Sequence, residues 1–118
     1  MNYSPEDMRD FLAGTLGPEL KRSGWGTDKL KVMIHDQSLP ALASFVNVIF
    51  ADETARNFAA GSALHWYDHN SKTGLDKPHN MYPDKFILAT EACEGPGVRI
   101  GAWSMAQRYA YDIIQVNF

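Results

Sequence analysis

Apolar and polar positions along the chain fall into alternating helical and extended patterns. Ser4 followed by Pro5, Glu6 and Asp7 reads as a helix start: a hydroxyl cap, a proline in the first turn, then acids against the dipole. Met8, Phe11, Leu12 and Leu16 keep one apolar stripe, and Gly17-Pro18 is expected to end or kink this helix. After a loop at 23–28, residues 29–34 alternate, with Leu30, Val32 and Ile34 on one side. Met33 interrupts the polar side, which predicts a strand covered on both faces and ending at His35-Asp36. Leu42, Phe45, Val46 and Ile49 stripe a second helix over 39–50, with Pro40 in its first turn, and Asp52 looks like the cap of a short helix through Phe58. GSALHWY, 61–67, is a short strand ending in three large side chains that can hydrogen-bond. Residues 68–84, rich in turn formers, are expected to be a long surface connection. Phe86, Ile87, Leu88 and Ala89 form the apolar run of a strand buried on both faces. Thr90 and Glu91 end it, and Gly95, Pro96 and Gly97 break the chain just afterwards. Trp103, Ala106, Ala110, Ile113 and Ile114 share one face of a last helix over 99–114.

Strands alternating with helices imply right-handed βαβ units and a parallel sheet, hence an α/β fold. In such folds the chemistry sits at the C-terminal ends of the strands. Asp36, Tyr67 and Glu91 recur at intervals suited to one β–α unit each, so the three should lie at one end of the sheet and face one cleft. A complete barrel needs eight units and roughly 250 residues. Three strands, with a leading helix that has no strand before it, predict a partial barrel of this kind, residues 1–118 being a piece cut from a larger fold.

Composition narrows the function classes. A net charge of −3 argues against a nucleic-acid partner, which calls for a basic patch. No apolar run approaches a membrane span, and MNYSPEDMRD lacks the layout of a secretory signal. Cys93 is the sole cysteine, so neither an internal disulfide nor a cysteine-based zinc cluster can form. It reads as a small packing residue. His65 and His69 are four apart but span a strand end and a loop, so they suggest no metal site. No phosphate-binding loop or dinucleotide fingerprint is present, and no cofactor is implied. Asn2-Tyr3-Ser4 is a glycosylation triplet of a kind common by chance.

From the residues alone, Glu91 either terminates a strand in solvent or carries chemistry. His65, Trp66 and Tyr67 are either half-buried strand residues with satisfied polar tips or part of a site, and Asp36 is either a surface or capping acid or a site residue.

The motifs SPEDMRDFLAGTLGPEL, KVMIHDQ, SALHWYD, ILATEAC and VRIGAWSMAQRYAYDII, in this order, resemble the family-30 glycoside hydrolases and within them the lysosomal glucosylceramidases. The similarity runs over essentially the whole chain. It implies a (β/α)8 TIM barrel, of which this segment would be the fourth through the seventh helix. It also implies retaining hydrolysis of a β-glucosidic bond, with glucosylceramide as the substrate that yields glucose and ceramide. A lysosomal or secreted location follows from the same resemblance, as does peripheral contact with a membrane surface in the full-length enzyme. On it, Glu91 matches the catalytic nucleophile, Tyr67 a tyrosine at the floor of the sugar site, and Trp66 a tryptophan beside it. His65 and Tyr67 would supply hydrogen-bond donors to Glu91, and Asp36 would orient other site groups. Retaining glycosidases use two carboxyl groups about 5–5.5 Å apart, but the family's acid/base glutamate, in Asn-Glu-Pro, has no counterpart here. His35 stands where near relatives have a second acid. Glu94, Gly95, Pro96 and Gly97 replace a longer aromatic-bearing loop, and the ending at 115–118 drifts from the pattern. A non-catalytic remnant, or part of a family-30 glucanase or xylanase, are the alternative readings.

Overall fold

A computed structural model describes residues 3–67, 73–93, 97 and 99–116. Three helical segments lead: α1 (Pro5–Phe11), a π-helical turn (Leu12–Leu16) and α2 (Gly17–Arg22). Then come β1 (Val32–Ser38), a 3₁₀ turn (Leu39–Ala41), α3 (Leu42–Ile49), α4 (Glu53–Phe58), β2 (Ala59–His65), α5 (Thr73–Met81), β3 (Phe86–Glu91) and α6 (Trp103–Val116). The strands form one parallel sheet in the order β1-β2-β3, as the alternation of strands and helices predicts.

Local chemistry accounts for most boundaries. The Ser4 hydroxyl accepts from the Asp7 amide while the Asp7 carboxylate accepts from the Ser4 amide, a complete capping box. Asp52 caps α4 by accepting from Ala55 N at 2.8 Å. Gly17-Pro18 neither ends nor breaks the first helix. The Gly17 amide reaches back to Leu12 O, and this wider π turn lets Pro18, which has no N–H to give, enter the first turn of α2. Gly17 is buried against the Phe58 ring, which occupies the place a Cβ would need.

The core lies between β1–β2 and the layer of α1, α3 and α4. Leu42, Phe45, Val46 and Ile49 are all buried, as their spacing predicts, and meet Ile34 of β1 and Leu64 of β2. Leu12 joins them, whereas Phe11, expected in the same stripe, is half exposed.

Other expectations need correction. The first strand begins later than predicted, at Val32, and runs past His35-Asp36 to Ser38. Leu30 lies outside it, and Met33 is exposed rather than covered. The second strand starts at Ala59, two residues early, and stops before Trp66. The stretch 68–84 is not a bare connection: Thr73–Met81 is helical despite Pro78. Packing overrides propensity there, since Leu75 and Tyr82 rest on the core and the Tyr82 ring meets Phe50 edge-on at 5.2 Å. β3 is not buried on both faces: Phe86 and Leu88 are 41% and 48% exposed, and among the described residues β3 packs on little besides β2. Trp103, Ile113 and Ile114 on α6 are likewise exposed. Residues 1–2, 68–72, 94–96, 98 and 117–118 lie outside the described residues, and with them Asn2, His69 and most of the loop after Cys93.

Candidate active site

Parallel pairing in chain order brings the three strand ends together. The Tyr67 hydroxyl, two residues past β2, donates to Glu91 Oε1 at the end of β3 over 2.6 Å. His65 lies between the two acids: its Nε2 is 3.2 Å from Asp36 Oδ1 and its Nδ1 is 3.8 Å from Glu91 Oε1. Asp36, Tyr67 and Glu91 therefore lie at one end of the sheet. The Glu91 side chain is more than half exposed.

Trp66 is not brought into this group. Side chains alternate across a strand, so Trp66 points away from His65 and Tyr67. It is 4% exposed, its indole N–H donates to Cys93 O at 3.1 Å, and its ring packs on Tyr109 of α6 at 4.9 Å. Its position ties the segment after Glu91 to the end of β2. Cys93 is not a packing residue either: it is exposed, with Sγ 3.0 Å from the Tyr67 hydroxyl. Cys93 first, and the Glu91 carboxylate second, push the Tyr67 phenol well above its ordinary range. Tyr67 thus stays protonated and keeps a proton to give to Glu91.

Asp36 is delivered by backbone distortion. His35 and Asp36 have φ of 77° and 56°, the left-handed region in which non-glycine residues cost about 1–3 kcal/mol each. The ladder skips Asp36: His35 pairs with Ala63 and Gln37 with Leu64. Such a bulge re-aims a side chain. His35 turns inward, its ring tilted against Phe45 at 4.7 Å and its Nε2 3.2 Å from Ser38 O. Burial pushes its pKa down. Asp36 turns outward, where the Thr90 hydroxyl first and His65 second hold its carboxyl below the usual range. Thr90, Cys93 and Tyr109 are the neighbours that the sequence pattern does not select; nothing in an ILATEAC string marks the threonine as reaching across the central strand.

A sequence profile described as the glycosyl hydrolase family 30 TIM-barrel domain matches residues 1–118. The chain belongs to glycoside hydrolase family 30. Putative glucosylceramidase 4 of Caenorhabditis elegans is 42% identical over 113 residues, covering 91% of this chain and 22% of the worm protein. Lysosomal acid glucosylceramidase of Mus musculus is 33% identical over 122 residues, covering 97% and 23%. The chain thus spans a little under a quarter of these relatives' length. Among solved structures, SrfJ from Salmonella typhimurium superposes with a TM-score of 0.82 at 29% identity, over 96% of this chain and 25% of that one. The endo-beta1,6-glucanase BT3312 gives 0.70 at 28% identity, over 79% and 21%. The sheet end described above is the C-terminal end of three parallel strands of the family-30 barrel, the face on which such barrels keep their active sites. Among the described residues no group of three or more His, Cys, Asp or Glu side chains is arranged to hold a metal, and no helix is long and apolar enough to cross a membrane.

Proposed function

We propose that this segment supplies the nucleophilic half of a retaining β-glucosidase site, with Glu91 as nucleophile, and that the substrate is glucosylceramide. The observation that carries the reading is the 2.6 Å hydrogen bond from Tyr67 to Glu91, at the C-terminal end of adjacent parallel strands. The glucosylceramidase names of the worm and mouse relatives support the substrate, and the mouse protein's name supports a lysosomal location.

In this reading a Glu91 oxygen attacks the anomeric carbon. The bond from that carbon to the ceramide oxygen breaks, and the departing oxygen takes a proton from the acid/base carboxyl. That acid/base lies outside these 118 residues, which contain no Asn-Glu-Pro. The glycosyl ester at Glu91 is then opened by water, which gives its proton to the same acid/base. Glucose leaves with its original configuration and Glu91 is regenerated. Tyr67 fixes the attacking carboxylate before attack and helps it to depart in the second step, since a donor to the carboxylate stabilises its charge. His65 and Asp36 line the same end and orient polar groups around the sugar. A glycolipid substrate implies peripheral contact with a membrane surface in the full-length enzyme.

Glu91→Gln in the complete barrel keeps shape and removes the attacking charge. Positioned acid–base groups alone contribute about 10²–10⁴-fold, and loss of the nucleophile should lower kcat on glucosylceramide by at least that factor. Full activity in the variant contradicts the assignment. The structural likeness to an endo-beta1,6-glucanase supports a second reading in which the glycone site is shared and the aglycone is a sugar. Turnover of β-1,6-glucan in place of glucosylceramide would decide for it.

A further inference from the structure

Two bulges face one another across the central strand. In β1 the ladder skips Asp36, beside Leu64 of β2. In β3 it skips Thr90, since Leu64 pairs with Ala89 and His65 with Glu91. Neighbouring strands lie about 4.8 Å apart, so outer strands of a regular three-stranded sheet are too distant for such short side chains to meet. Here they meet. Thr90 Oγ is 2.6 Å from Asp36 Oδ1 and 3.2 Å from Leu64 O. The hydroxyl has one proton, and the shorter contact to an ionised carboxylate claims it. The same Asp36 oxygen is the one His65 Nε2 approaches at 3.2 Å.

We infer that Thr90 is a positioning residue: its hydroxyl clasps the bulged Asp36 over β2, and Asp36 in turn holds His65 as the Nε2–H tautomer with Nδ1 turned toward Glu91. The clasp accounts for two consecutive left-handed residues in β1, a distortion that persists only where surrounding contacts over-determine it. It also gives the ring a fixed choice. With Nε2–H committed to Asp36, that tautomer offers Glu91 only a lone pair at 3.8 Å, leaving Tyr67 as the donor to the attacking carboxylate. Without the clasp, Asp36 is free to swing away and the ring is free to present Nδ1–H to Glu91, a second donor that would quench its nucleophilicity. The inference rests on Glu91 being the nucleophile for its kinetic consequence, but not for the tautomer.

The test is ¹⁵N NMR of the full-length protein carrying this chain, labelled at histidine, with His65→Gln used to assign the His65 signals. In the unmodified protein the neutral His65 ring should show a protonated Nε2 and a bare Nδ1; a protonated Nδ1 overturns the inference without any variant. Thr90→Val, which keeps the shape and loses the hydroxyl, should give a mixture of tautomers and lower kcat on an aryl β-glucoside about tenfold or more with KM little changed. Thr90→Ser should restore both. An unchanged tautomer in Thr90→Val, or Thr90→Ser as impaired as Thr90→Val, shows that the threonine only packs and overturns the clasp. If the protein has no glucosidase activity at all, the nucleophile reading fails while the tautomer still decides the clasp.

Discussion

Helices α3 and α6 carry the same kind of apolar stripe and meet opposite fates. Leu42 and Ile49 of α3 are completely buried against β1 and β2, whereas Trp103, Ile113 and Ile114 of α6 are 53–73% exposed. The strands divide the same way: Ile34 and Ala63 are sealed, Phe86 and Leu88 half open. Periodicity therefore specifies which face of an element is apolar, but burial requires a neighbour to receive that face. α3 has α1, α5 and β1, whereas among the described residues β3 packs chiefly on β2 with only a slight contact to α5. In a closed barrel every strand has two neighbours and a helix outside it. The site straddles this divide. Asp36 and His65 stand on the packed side, and Glu91 on the open one.

The largest expected effect breaks the packed side. Leu42→Ala should cost about 2–5 kcal/mol in urea unfolding, because a fully buried leucine leaves a cavity. Ile113→Ala should fall within about 0.5 kcal/mol, as exposed substitutions do. Equal losses at the two positions would mean that α6 is buried after all. Next is the seam between the regions. Gly61 of β2 is buried, and a Cβ there would run into the Phe86 backbone carbonyl and ring, so Gly61→Ala must push β3 away. A cost of about 1–3 kcal/mol is expected from overpacking. Amide exchange should quicken in β3 and not in β1; exchange that quickened equally in both would contradict a localised seam.

The smallest effect is a pH slope confined to the packed side. Burial lowers the His35 pKa from its ordinary 6.5, so below pH 6.5 the unfolded chain binds a proton that the folded one refuses. Stability from this residue is present above 6.5 and is lost as pH falls toward the lowered folded value, by at most about 1.4 kcal/mol per pH unit. His35→Gln, which does not titrate, should flatten the stability curve below pH 6.5. An identical slope in both proteins would show that His35 titrates freely.

Much of this was legible in the sequence wherever the signal was local. The Ser4 and Asp52 caps, the α3 stripe and the parallel order follow from residue type and spacing. Three features were hidden because they depend on partners far along the chain. The helix at Thr73–Met81 exists through Leu75 and Tyr82 on the core, against its own turn-rich composition. The π turn before Pro18 converts what reads as a break into continuity. The twin bulges at Asp36 and Thr90 depend on register, and a β-branched strand former next to a glutamate carries no sign of one. In the site, the strand ends were readable as a set, but the direction of Trp66 was not: alternation sends it to Tyr109 once His65 and Tyr67 face the acids.

The central claim is that Glu91 attacks the sugar, and the stereochemistry of an azide rescue tests it most directly. In the complete barrel, Glu91→Gly removes the nucleophile and leaves room for a small anion. Added azide should restore turnover of an activated aryl β-glucoside, attacking from the vacated face with a single inversion to give the α-glucosyl azide. Were Glu91 instead the acid/base, azide would intercept the covalent glycosyl-enzyme formed on another carboxylate. A β-glucosyl azide would then accumulate, and that product would contradict the account.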